Sequence, residues 1–157
     1  MTRYASTTEV PVEKSRAEIE KIVRKYGADW FMSGWEGNRA TVQFRYQNRY
    51  VKFTMNLPGR NETRFTHHQR IVFGARRERA TNVGDRLWEQ ACRQKWRALT
   101  LLVKAKLEAV DSKISTFENE FLGNIVLPDG STVYEATRGP LQIAYETNRP
   151  LMLVAPG

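Results

Sequence analysis

With 157 residues, 41% of them hydrophobic and 27% charged, the chain holds enough apolar material for one packed core, which excludes a wholly disordered or fibrous polymer. No apolar run approaches the roughly eighteen residues that cross a bilayer, and the first residues contain no apolar signal core, so the expected location is cytoplasmic and off the membrane. The formal net charge of +8 is unevenly spread: residues 1–56 hold ten Lys/Arg against six Asp/Glu, residues 57–106 twelve against four, and residues 107–157 three against seven.

Residues 1–12 are polar before VPV leads into a first helix, expected from Ser15 or Arg16 to about Tyr26. Ser15 and Glu18 have the capping-box spacing, in which each side chain satisfies a free amide of the first turn. Ile19, Ile22, Val23 and Tyr26 form its apolar face, Arg16, Lys21, Arg24 and Lys25 its wet one, and Gly27 is a stop signal.

The period then changes from helical to alternating. WFMSGW reads as a first strand, EGN as a turn, and RATVQFRY places Ala40, Val42, Phe44 and Tyr46 opposite Arg39, Thr41, Gln43 and Arg45. After Gln47, Asn48 and Arg49, YVKFTMNL repeats the pattern with Val51, Phe53 and Met55 on one side. The expectation is an antiparallel meander with a dry face and a wet one, the wet face carrying Arg39, Gln43, Arg45, Arg49, Tyr50 and Lys52. Arginine presents a fork of donors to phosphate and an aromatic ring a stacking surface to an unstacked base, so this face is either a recognition surface or a set of ordinary cross-strand partners.

Residues 58–84, PGRNETRFTHHQRIVFGARRERATNVG, read as a long basic loop or arm within a single domain, with a short strand possible from Arg70 through Phe73 and possible pairing with the meander. His67 and His68, the only histidines, lie here. Adjacent histidines hold zinc only when further ligands arrive from elsewhere.

From about Asp85 to about Ser115 the apolar residues Leu87, Trp88, Ala91, Cys92, Trp96, Leu99, Leu102, Val103, Leu107, Val110 and Ile114 recur at steps of three and four. This predicts one long amphipathic helix, either broken near its middle or reaching past the body. Trp88 and Trp96 are expected to pack in the core, and Cys92 to serve as a small buried hydrophobe. The polar face carries Arg86, Arg93, Lys95, Arg97, Lys104 and Lys106 before turning acidic at Glu108 and Asp111. A short helix over TFENEFLG, a hairpin in which Ile125–Leu127 and Thr132–Tyr134 flank Pro-Asp-Gly, and a final short helix opened by Pro140 follow. The PLMLVAPG tail is read as closing the core, joining an oligomer interface or, ending in Pro-Gly, staying mobile.

The fold expected is therefore α+β: an antiparallel β-meander packed against a long amphipathic helix, with a short N-terminal helix and a C-terminal hairpin. VPVEKSRAEIEKIVRKYGAD, QKWRALTLLVKAKLEAVDSKISTFENEFLGNIVLPDGSTV and PLMLVAPG together resemble a largely uncharacterised family of small proteins encoded by bacteriophages and prophages. The resemblance covers most of the chain, least so residues 57–84, and implies a phage setting without assigning a role to any residue.

These features lead to the expectation of a non-enzymatic nucleic-acid-binding accessory protein of a phage or prophage, with DNA or RNA as partner and no cofactor. The expected phosphate contacts are Arg45, Arg49, Lys52, Arg70, Arg76, Arg77, Arg93 and Arg97, with Tyr50 as a stacking group. Two alternatives stay open: a phage protein that binds and modulates a host protein, and a metal-dependent nuclease using the His67/His68 region. A homo-oligomer is compatible with all of them. No Walker loop, zinc-finger spacing, HExxH, GxSxG or Rossmann fingerprint supports an enzyme class, and no catalytic or metal-ligating set is assigned.

Overall fold

Pro11 opens the first helix of the computed structural model, which describes residues 7–153; Val154 to Gly157, the end of the apolar tail, lie outside the described residues. Helix α1 spans Val12–Lys25, beginning a turn earlier than the capping-box pattern predicts, because proline at a helix start forfeits no hydrogen bond. Ser15 is consequently inside the helix rather than capping it. It is fully buried, and its Oγ has no hydrogen-bond partner among the described residues. Gly27, at φ 106°, ends the helix as expected.

Strands β1 (Trp30–Glu36), β2 (Arg39–Tyr46) and β3 (Arg49–Asn56) form an antiparallel sheet in that order. The alternation of the sequence carries through to burial: Ala40, Val42, Phe44, Val51 and Phe53 are all buried on one face. Gln47 and Asn48, both at positive φ, make the tight turn that sets the β2–β3 register. The outer edge of β3 is covered by the later chain, where the Val126 amide donates to the Tyr50 carbonyl at 2.8 Å and Asn124 Nδ2 to the Lys52 carbonyl at 3.1 Å.

Residues 58–84 contain more regular structure than a loop. A single helical turn, α2 (Thr63–Thr66), leads into β4 (His67–Val72), which pairs with β5 (Ala75–Glu78) in a separate two-stranded sheet. The expected strand near Arg70 thus exists, and its sheet partner is β5 rather than the meander.

The long helix, α3, runs Thr81–Asp111 without interruption, 31 residues or about 46 Å. Trp96, Leu99, Val103 and Leu107 press its apolar stripe onto the sheet together with Ile19 and Val23 of α1. Ser15 and Thr100 meet where α1 and α3 approach, Thr100 Oγ1 donating to the Ser15 carbonyl at 3.3 Å and the Trp96 carbonyl at 2.9 Å. Some members of the predicted stripe stay outside the core. Leu87, Leu102 and Ile114 are exposed, and Trp88 is half-buried, its indole N–H donating to the Pro58 carbonyl at 2.7 Å beneath the Arg60 guanidinium. Near its N-terminus α3 passes tightly over α2: a Cβ built on Gly84 would sit 2.9 Å from the Phe65 carbonyl oxygen.

Thr116 caps the short helix α4 (Phe117–Phe121), accepting from the Asn119 amide at 3.2 Å. Phe117 and Phe121 complete the core, Phe121 meeting Phe44 and Phe53 edge-on with centroids 6.0 and 6.2 Å apart.

The expected C-terminal hairpin does not form. Asp129 and Gly130 do make the predicted turn, but only Val126 and Thr132 bridge across it, while Ile125 pairs with Val51 of β3. Thr132 instead caps α5 (Val133–Thr147) in a reciprocal capping box with Glu135, so the residues expected as the second strand become the first turn of a helix. Pro140 lies inside this helix rather than at its start.

Candidate nucleic-acid interface

On the outer face of the meander, register brings Trp30, Arg45 and Tyr50 into one cross-strand row. The Arg45 guanidinium donates to both carboxylate oxygens of Asp29, at 2.8 and 2.9 Å, and lies 5.8 Å from the Tyr50 ring centroid. That fork holds the Asp29 carboxyl below its usual range and raises Arg45 in turn. Tyr50 packs edge-on to Trp30 at 5.4 Å and remains 38% exposed.

The other expected contacts on the body are also tied to the protein. Arg49 donates to Glu118 at 2.7 Å; Glu118 is held below its usual range first by its own amide at the start of α4 and then by Arg49. Lys52 reaches the Gly130 carbonyl at 2.9 Å and lies 3.9 Å from Glu135. On α3, Arg97 donates to Glu18 of α1 at 2.6 Å, and Arg93 donates to Gln90 at 2.6 and 3.0 Å with Glu89 at 4.0 Å. Lys106 bonds the Glu120 carbonyl at 2.6 Å. Arg49, Lys52, Arg97 and Lys106 brace one element against another, Arg93 is held along its own helix, and binding a phosphate would require exchanging an existing partner.

The chain matches no family model, no curated protein and no solved structure. What it can bind is therefore read from its own side chains.

The β4–β5 ribbon differs from the body. Arg70, Arg76 and Arg77 are exposed, and none of them forms an ion pair among the described residues. Glu78 is the one carboxylate between His67 and Glu78. The base of the ribbon is pinned: the Arg79 amide donates to the Thr66 carbonyl at 2.7 Å and its Nε to the His67 carbonyl at 2.9 Å. Of the cations on α3, Arg86, Lys95 and Lys104 are exposed without an ion pair among the described residues, whereas Arg93 and Arg97 are half-buried beside carboxylates.

His67 and His68 do not act together. His67 Nδ1 lies 2.8 Å from Thr66 Oγ1 at the ribbon base, while His68 is exposed on the strand. Among the described residues no three His, Cys, Asp or Glu side chains are grouped to hold a metal ion, and the nuclease alternative gains no support. A cleft of about 540 Å³ between α1, β1 and α3 is lined by Trp35, Trp88 and Trp96 with Arg16 and Arg93. Arg16 is bound there to the Ser33 hydroxyl and carbonyl, and Glu13 and Glu89 offset the positive charge, which makes the cleft a poor phosphate site. Cys92 borders it with its thiol pushed up by burial, which disfavours the reactive thiolate.

Phe73, which the sequence reads as the end of a short strand and not as a binding residue, stands instead at the apex of the ribbon, β4 ending at Val72. Asn-Gly or Asp-Gly between two strand-prone runs is the familiar hairpin signal, and Phe-Gly does not carry it.

Proposed function

We propose that the chain is a non-enzymatic nucleic-acid-binding accessory protein, in the phage setting its sequence suggests, and that the β4–β5 ribbon is its principal contact. The observation that carries this reading is the exposure of Arg70, Arg76 and Arg77 on a ribbon whose cations have no carboxylate partners among the described residues. Phosphate contacts by such cations release condensed counterions, a favourable term that requires no internal ion pair to be broken. Exposed Arg86 on the first turns of α3 is a further candidate contact, and Arg45 with Tyr50 is a secondary site on the meander.

The test is a salt titration of the purified protein against labelled single-stranded DNA, duplex DNA and RNA. Steep salt dependence is expected. Replacing Arg70, Arg76 and Arg77 together by Gln should reduce the slope of log K against log salt on duplex DNA by about 2.7, at about 0.9 per phosphate contact. An unchanged slope in that variant would remove the ribbon from the interface, and absence of binding to all three polymers would overturn the function.

A second reading, docking on a host protein, is favoured by α5. None of its residues is buried, and Tyr134, Leu141, Ile143 and Tyr145 stand exposed before Leu151, Met152 and Leu153 of the tail. Loss of host-protein capture on replacing Ile143 and Tyr145 by Ser, with nucleic-acid affinity unchanged, would identify this as a separate surface.

A further inference from the structure

Phe73 has no explanation in the fold of the isolated chain. It takes the first of the two central positions in the β4–β5 turn at φ 51°, followed by Gly74 at φ 80°. A turn with positive φ at both central residues suits the twist of a two-stranded ribbon, and it favours Asn or Asp before Gly because a bulky side chain crowds its own backbone in that conformation. Phenylalanine here strains the turn, and its ring gains no packing in return, at a relative exposure of 104%. Strain held at an exposed apex, with no internal compensation, points to a partner that receives the ring.

We propose that Phe73 is an apolar wedge that inserts at a base step of duplex DNA and kinks it, while Arg70, Arg76 and Arg77 hold the flanking phosphates. The proposal rests on the nucleic-acid reading above and adds the polymer and the deformation. Ile71 and Arg76 are cross-strand partners and share one face of the ribbon, so Arg77, next along β5, points to the other. Cations therefore flank the ribbon on both faces. A duplex groove has phosphates along both walls, which matches that placement, whereas an anionic membrane lies as a single plane beneath the tip.

The shape of the apex narrows the polymer further. Unstacked single strands are held on broad aromatic platforms, and a lone ring at the end of a narrow ribbon offers none. Duplex RNA buries its base edges in a major groove too deep and narrow for side chains, while pyrimidine–purine steps of B-form DNA unstack readily. Insertion would expose no new apolar surface on the protein and would cover a ring that is now fully in water, with the unstacking of one step as its main opposing term.

The test uses a short DNA duplex labelled at both ends for energy transfer, with 2-aminopurine beside a central TA step, and the full chain with Phe73 intact, as Phe73→Asn or as Phe73→Trp. Asn suits the turn, so Phe73→Asn should preserve the ribbon. The wild-type protein is expected to shorten the end-to-end distance, consistent with a kink of about 20–90°, and to raise 2-aminopurine fluorescence. Phe73→Asn should bind within about tenfold of wild type, because stacking gain and unstacking cost largely offset, and leave the duplex straight and the probe stacked. Phe73→Trp should restore both signals.

Wild-type binding without a kink, or a Phe73→Asn complex as kinked as wild type, would overturn the wedge while leaving nucleic-acid binding in place. Failure of the wild-type protein to bind any polymer would instead fell the underlying reading. Phe73-dependent binding to vesicles of phosphatidylcholine with one quarter phosphatidylserine, with no kinking of DNA, would overturn the proposal in favour of a lipid surface. Kinking of duplex RNA but not DNA would overturn the polymer assignment.

Discussion

Arg45 and Arg76 both stand on antiparallel strands, yet one is clasped by Asp29 through two hydrogen bonds and the other has no ion-pair partner among the described residues. The same contrast separates the whole body from the ribbon. Arg49, Arg97 and Lys106 join β3 to α4, α3 to α1, and α3 to α4, so their charge is balanced inside the protein. On the ribbon, basic residues surround a turn whose ring has nothing to pack on. Formal charge alone cannot distinguish these regions; what separates them is whether a carboxylate already occupies the guanidinium.

The largest effect should come from the body. Trp96→Ala removes a side chain only 2% exposed beneath α1 and is expected to cost about 3–5 kcal/mol in denaturant unfolding. A loss near that of an ordinary surface substitution would mean that the sheet and α3 are not one cooperative unit. Next comes the ribbon, where the triple Gln variant should lose about a hundredfold in duplex affinity at physiological salt, given the counterion slope. Its unfolding free energy should move by no more than about 0.5 kcal/mol, and a larger shift would show that these arginines also brace the fold.

Gly84→Ala probes the junction between the two regions. Its Cβ would meet backbone rather than a flexible side chain, so an expected loss of about 1–3 kcal/mol would show that α2 cannot move off α3 to relieve the contact. A neutral result would mean that the ribbon base is loosely held.

The smallest effect is a pH dependence confined to the body. Asp29, Glu118, Glu120 and Glu135 all titrate below their usual ranges; the principal causes are Arg45 for Asp29, the backbone amide at the α4 start for Glu118, Ser115 for Glu120 and the Thr132 amide for Glu135. Because the unfolded chain binds these protons more readily, their stabilisation is complete above about pH 4–5 and is lost as pH falls through the lowered folded values. Tyr26 behaves oppositely. Its hydroxyl donates to Glu108 and its pKa is pushed up to about 12, so that contribution is present below about pH 10 and lost as pH rises through the folded value. Unfolding curves across pH should show a plateau between these limits, and acid loss at pH 6 would contradict the assignment.

Much of this architecture was legible in the residues themselves. Alternation in RATVQFRY and YVKFTMNL marks the meander, and three-and-four spacing around Trp96 marks α3, because burial on one face is written into neighbouring positions of one element. Pro-Asp-Gly is a sound turn signal and predicts a C-terminal hairpin, but Thr132 and Glu135 form a capping box that turns the next segment into a helix. The capping-box reading failed in the opposite sense at Ser15 and Glu18, where Pro11 starts the helix earlier and Glu18 is drawn to Arg97. Local spacing was the same in both places, and context decided its use.

The sequence by itself determined the helices and strands with strong hydrophobic period and the concentration of positive charge in the middle of the chain. Only the tertiary structure decided which of those charges are engaged. Arg49 meets Glu118 and Arg97 meets Glu18 because packing brings together elements far apart in the chain, and no local pattern encodes that approach. It decided equally that Phe73 stands at a strained, exposed turn, since a ring three residues from an arginine reads alike in a core strand and at the tip of a ribbon.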